Sequence, residues 1–201
     1  MPLQNRVTPF GELVAVLARG TLKGNRGGRL HDAHRKLTAR RWTSKQWICC
    51  KLEFNERHRT VWGDSYTELF FLDEVTAFAA GHRPCFECRR KDAERFATLF
   101  GNGARARVAE MDTLLHAERL DGKAKRLHRL KIAELPDGAM IARAGEAYAL
   151  RGDQILRWTP QGYTERLPRP RSAPADVLTP PSTLAVLTRG YVPLWHPSAE
   201  N

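Results

Sequence analysis

Cysteine is scarce in this sequence, with four in 201 residues, and a chain of this length buries enough core to stand without a disulfide framework. The N-terminal stretch from Met1 to Phe10 is polar and contains proline, so no signal-like apolar segment is present. No apolar run reaches the roughly eighteen residues of a membrane-spanning helix, which excludes a helical span. These absences imply a cytoplasmic protein with reduced thiols and no membrane partner. Acidic residues are also in short supply, 22 Asp and Glu against 33 Lys and Arg, for a formal charge of +11. Such an excess attracts polyanions, of which nucleic acid is the commonest in cytosol. A P-loop is missing: Lys23-Gly-Asn-Arg-Gly-Gly-Arg29 is basic and glycine-rich but lacks the Lys-Ser/Thr pair at the required spacing.

The stretch with most local information is Leu69 to Arg90, LFFLDEVTAFAAGHRPCFECRR. Leu69 to Leu72 form a short apolar run with two aromatics, as a buried strand does. Asp73 is placed to cap a helix whose apolar face carries Val75, Phe78 and Ala79, and Gly81 is the expected left-handed stop. Cys85-Phe86-Glu87-Cys88 is then a C-x-x-C knuckle, a spacing at which a turn points both sulfurs at one tetrahedral zinc. Arg89, Arg90 and Lys91 follow it and favour thiolate over thiol.

This run resembles the second half of the metal-binding domain of the Ada alkylation-response family, in which a strand and short helix lead into Gly, Arg-Pro and Cys-x-x-Cys. Gly24-Asn25-Arg26-Gly27-Gly28-Arg29-Leu30-His31 is similar to the Gly-Asn run that ends in the family's first ligand. The resemblance covers roughly residues 20–100 and implies a zinc held by Cys85, Cys88, His31 and one further ligand, on a small mixed domain that touches DNA. The family's second ligand falls where this chain has Arg35, and the gap from His31 to Cys85 is longer than the pattern. Cys50, Cys49 and His34 are the substitutes, with Cys50 carried as the fourth. Cys49 and Cys50 are neighbours in a strand-like run, so they face opposite ways, and periodicity does not choose between them. His31 stands where Ada has its methyl-accepting cysteine, which argues against repair by a sacrificial thiolate.

Elsewhere, Leu13, Val14, Val16 and Leu17 suit a short helix or strand ending at Gly20. Trp47 to Phe54 and Arg59 to Trp62 read as a hairpin around Asn55 to His58. Asp92 to Phe100 and Val108 to Leu120 read as helices. On the second, Asp112 and His116 share a face with Glu118 beside it, a set that offers general acid–base or metal chemistry as well as ordinary surface ion pairing. Gly122 to Lys131 is the most basic run, and it suits either a solvated loop or a phosphate-binding one. From Ala139 to Thr159 a three-stranded antiparallel meander is expected, turning at Gly145 and Gly152. Arg166 to Ala175 reads as extended surface chain. A last helix follows Thr179 as its cap, and its exit, Gly190-Tyr-Val-Pro193, echoes Gly81-His-Arg-Pro84.

The expected fold is therefore α+β: an Ada-like zinc-binding α/β region over residues 1–104, then a helix, a short antiparallel meander and a C-terminal helix over residues 105–201. The expected function is a zinc-stabilised nucleic-acid-binding protein, with DNA ahead of RNA, acting in repair, modification or defence. Arg26, Arg29, Arg40, Arg41, Arg89 and Arg90 are the candidate phosphate contacts. The alternative is a nucleic-acid-processing enzyme, a nuclease or glycosylase, using Asp112, His116 and Glu118 or an open metal with His82 nearby.

Overall fold

The helix expected after Asp73 is the hub of the molecule. In the computed structural model, which describes residues 1–56, 60–170, 172 and 174–200, α1 spans Glu74–Ala79 and every one of its residues is buried. The Asp73 carboxylate accepts from Thr76 N at 2.8 Å and Thr76 Oγ1 at 2.7 Å, which satisfies the open first turn. Gly81 ends it at φ +86°, and a β-carbon there would stand 2.5 Å from Arg119 Cδ, so both conformation and space require glycine.

Two six-stranded sheets flank this helix. The first contains β1 (Arg6–Val7), β2 (Leu13–Val14), β3 (Leu22–Asn25), β4 (Ile48–Lys51), β5 (Leu69–Phe71) and β6 (Arg83–Pro84), in the order β2-β1-β5-β3-β4-β6. It is mixed: β5 runs parallel to β1 and antiparallel to β3, and β6 runs parallel to β4. Pro84 is tolerated because β6 is an edge strand. Of the expected hairpin, β4 is present, whereas Arg57, His58 and Arg59 lie outside the described residues. Of the Phe10 to Arg19 segment, only Leu13–Val14 is regular.

The connecting helices α2 (Arg90–Phe100) and α3 (Val108–Arg119) fall where their apolar periodicity put them. A two-stranded ribbon, β7 (Leu120–Asp121) with β8 (Ala124–Lys125), follows α3. The second sheet is antiparallel throughout and larger than the three strands expected. Its members are β9 (His128–Lys131), β10 (Met140–Arg143), β11 (Glu146–Arg151), β12 (Gln154–Thr159), β13 (Gly162–Pro168) and β14 (Pro174–Val177), ordered β13-β12-β11-β10-β14-β9. The basic run thus supplies an edge strand, and the Pro- and Arg-rich segment supplies parts of two more. In β9, His128 and Leu130 turn partly inward while Arg129 and Lys131 remain exposed, a period-two pattern hidden beneath the charge.

The last helix, α4 (Pro181–Thr188), is not capped by Thr179. That hydroxyl accepts instead from Met140 N at 2.9 Å.

Three core clusters meet at α1. Val75 and Ala79 pack on Met140, Ala149 and Leu156 of the second sheet. Ala77 and Ala80 pack on Val7, Leu22, Leu69 and Phe71 of the first. Phe78 packs among Phe96, Met111 and Leu187 from the other three helices and Tyr191 from the segment after α4. Two of these clusters therefore join residues from both sides of the expected boundary at residue 104.

Candidate metal centre

Strand β4 sends its adjacent cysteines to opposite faces. Cys49 enters the core with Leu22, Leu69 and Phe71, wholly buried. Burial, with the nearby Glu74 carboxylate, pushes its thiol well up, and Arg89 Nη1 contacts its Sγ at 3.6 Å. Cys50 emerges on the other face, half-buried. The parallel pairing of β4 with β6 sets Cys49 opposite Pro84, and Cys85 N donates to Cys49 O at 3.0 Å, which delivers the knuckle beside Cys50. The knuckle closes as a tight turn in which Arg89 N donates to Cys85 O at 3.0 Å and Glu87 N to Cys85 Sγ at 3.4 Å.

The result is a triad: the sulfurs of Cys50, Cys85 and Cys88 all lie within 4.8 Å of one another, and they could hold a metal ion. The thiols of Cys50 and Cys88 donate to Cys85 and hold it far below an ordinary thiol, while Cys50, as the donor to Cys85 and then Cys88, is driven up. Three converging sulfurs are a ligand set that suits a soft or borderline cation. A recess of about 120 Å³ opens at the sulfurs, lined also by Lys23, Asn25, Lys51 and Tyr66. Lys23 and Asn25 belong to the glycine-rich run, but Lys51 and Tyr66 did not stand out in the sequence, because each is an ordinary residue at a strand or loop position until β3, β4 and the Tyr66 segment are brought together.

Among the described residues the group has three members, and His31 is not one of them. Its ring is buried and stacked on Trp62 with centroids 5.1 Å apart. Nδ1 meets Thr67 Oγ1 at 2.7 Å and Nε2 meets Gly63 O at 2.9 Å, so both nitrogens are occupied in tying a loop together. The ligand expectation for His31 is corrected accordingly. His34 is exposed in the Asp32 turn and Cys49 faces the core, which leaves Cys50 as the substitute that joins the knuckle. His82 is also apart: it is buried between the rings of Trp47 and Phe71, at 5.0 and 4.7 Å, and kept neutral by burial and by Arg26 and Arg119.

Set against protein-family models, curated proteins and solved structures, the chain matches none.

The three candidate acid–base residues on α3 are engaged elsewhere. Both Asp112 oxygens are gripped by Arg83, at 2.8 Å each, in a buried bidentate pair. His116 Nδ1 lies 2.8 Å from Arg119 Nη2, and burial and that guanidinium lower its pKa. Glu118 accepts from Ser182 N at 3.0 Å and Ser182 Oγ at 2.7 Å, and so caps α4 from outside. Each is a packing device, and the three do not converge on one cavity among the described residues. The arginines divide likewise. Arg29, Arg40, Arg41 and Arg90 are exposed, whereas Arg26 and Arg89 are almost wholly buried and do not present themselves to a surface phosphate. No helix among the described residues is long and apolar enough to cross a membrane.

Proposed function

We propose that this chain is a zinc-stabilised nucleic-acid-binding protein directed at DNA, acting in repair, modification or defence. The observation that carries the reading is the Cys50–Cys85–Cys88 triad, a sulfur-only set that suits zinc over the oxygen-preferring cations. Lys23 and Lys51 line the recess at the sulfurs, and the whole chain has a net charge of +11. A backbone phosphate approaching that face meets these two lysines, with Glu87 as the one acid among the lining residues. The likeness of residues 20–100 to Ada-like sequences favours DNA over RNA. Because the recess reaches the sulfurs, a metal held by the three cysteines would have, among the described residues, no fourth protein ligand and could take water or substrate there, and this supports a second reading as a metal-dependent nucleic-acid-processing enzyme.

Elemental analysis of purified protein, combined with anisotropy titrations of labelled single- and double-stranded DNA at several salt concentrations, tests both readings. The binding reading expects about one zinc per chain and an affinity for DNA that falls steeply as salt rises, without turnover. Chelator-sensitive cleavage or base release would move the assignment to the enzyme. Metal-free folded protein, or no salt-dependent DNA affinity, would overturn the proposal.

A further inference from the structure

Away from the sulfurs, Arg26 and Arg119 both lie over the Trp47 ring, their guanidinium carbons 4.0 and 3.9 Å from its centroid. Lys125 reaches the same place from β8, and a small cavity is lined by all four together with Arg41 and Lys123. That is five cations and, among the described residues that line it, no carboxylate. Their hydrogen bonds run to neutral acceptors: Arg26 Nη2 to Gly11 O at 2.8 Å and Nε to His82 Nε2 at 3.4 Å, Arg119 Nη1 and Nη2 to Gly81 O and Lys45 O at 2.8 Å with His116 Nδ1 also 2.8 Å from Nη2, and Lys125 Nζ to Ala79 O. Carbonyls satisfy donors but cancel no charge. Asp112 is the acid that acts on Arg119, and its oxygens are held by Arg83.

Cation–π contact accounts for a guanidinium against tryptophan, but not for several cations gathered without a counter-charge, since burying charge unpaired is expensive. Three donors at or beside the spot also have no partner among the described residues: Arg119 Nε, Trp47 Nε1 and, on the wholly buried His82, Nδ1. In a native interior such orphans point to something that completes them. Two rigid guanidinium forks beside an ammonium match the oxygens of a tetrahedral anion. The void is about 10 Å³, room for one oxygen-sized group, which admits a single terminal oxygen of a phosphoryl group, the rest remaining at the mouth, and excludes a nucleobase.

We propose that this pocket binds a phosphoryl oxyanion, with Arg26, Arg119 and Lys125 as its inner ligands and the exposed Arg41 and Lys123 at its mouth. The site does not require the DNA reading, since the phosphoryl group belongs either to a free phosphate compound or to a nucleic-acid backbone.

Calorimetric titration of metal-loaded full-length protein with inorganic phosphate, at ionic strength held constant with chloride, tests it. Saturable binding is expected, with Kd weakened at least about tenfold by Lys125→Met, which removes one charged contact. The exposed Arg129→Ser, which lowers net charge equally, is expected to leave Kd unchanged. Binding of a single-stranded oligonucleotide then separates the sources: phosphate competes with it and Lys125→Met weakens both if the group is a backbone phosphate, whereas only phosphate responds if it is free. No saturable phosphate binding by the parent, or equal loss in the Lys125→Met and Arg129→Ser proteins, overturns the proposal even if DNA binding persists.

Discussion

Arg89 and Glu74 meet at 2.7 Å, with 1% and 0% of their side chains exposed, and this pair joins the cysteine knuckle to the central helix. Arg89 directly follows Cys88 and also pairs with Asp92 at 2.9 Å. Glu74 is held in turn by Tyr191 Oη at 3.0 Å and Leu194 N at 2.9 Å. A residue whose position suggested a phosphate contact is thereby the tie between sulfur centre, α1 and C-terminal segment. Arg89→Met would strand a buried carboxylate and is expected to lower unfolding free energy by about 3–5 kcal/mol. Adding Glu74→Gln should recover part of that loss, since it removes the uncompensated charge. Urea midpoints of the two variants decide this; equal losses in single and double variants would contradict it.

The two adjacent cysteines should separate cleanly. Cys50→Ser is expected to abolish stoichiometric metal, because it removes one of three converging sulfurs. Cys49→Ala should retain the metal and cost about 1–2 kcal/mol for the small void it opens in the core. Metal content by mass spectrometry under non-denaturing conditions reads the difference, and loss of metal in Cys49→Ala would reassign the centre.

His31→Gln is a probe of the corrected ligand set. The variant is expected to keep its metal while losing about 1–3 kcal/mol, as Thr67 and Gly63 lose their partner and Trp62 its stacked ring. A variant that folds but binds no metal would restore His31 to the centre.

How far the sequence revealed these features depended on how local each cause was. The Asp73 cap and the Gly81 stop were legible because their partners lie within a turn. The C-x-x-C was legible for the same reason. Which neighbour of the Cys49–Cys50 pair completes it was not, because alternation separates two faces without saying that β6 and the knuckle lie beside one of them. His31 was mistaken because its partners, Thr67 and Gly63, come from a loop that no local pattern brings to it. The convergence of Arg26, Arg119 and Lys125 left no local trace at all, since it arises from the residue after β3, the end of α3 and the end of β8 meeting around a tryptophan. The strand β9 was obscured because its inward residues, His128 and Leu130, sit in the chain's most basic run.

Glu118 separates structural from catalytic roles on α3. Glu118→Ala removes the acceptor for Ser182 N and Oγ at the start of α4, and a loss of about 1–2 kcal/mol is expected. Nucleic-acid affinity should be unchanged. Retained stability together with lost activity on nucleic acid would return the α3 acids to a catalytic role.

The last expectation concerns pH. Burial, then Arg119 and Arg26, pull Lys125 from its ordinary value of 10.5 down to about 7. Burial and Arg41 likewise lower Arg26 to about 9, while burial and Arg26 lower Arg119 to about 8 against the upward pull of Asp112. Of the two histidine rings in contact, His82 is kept neutral and His116, 2.8 Å from Arg119, has its pKa lowered by burial and that guanidinium, while Arg41 and Lys123 face the same cavity. Between about 7 and 10.5 the unfolded chain holds more protons at Lys125 than the folded one, so folding stability rises with pH across that window and is lost as pH falls through it. Lys125→Met removes this contribution. The stability difference between parent and variant should therefore shift in the parent's favour by about 1–2 kcal/mol from pH 7 to pH 10, a figure discounted for the partial exposure of the lysine side chain. Saturating phosphate should shrink that shift, because an anion in the pocket stabilises the protonated form. Paired urea titrations across the range measure it, and a pH-independent difference would show that the lysine is not held among uncompensated cations.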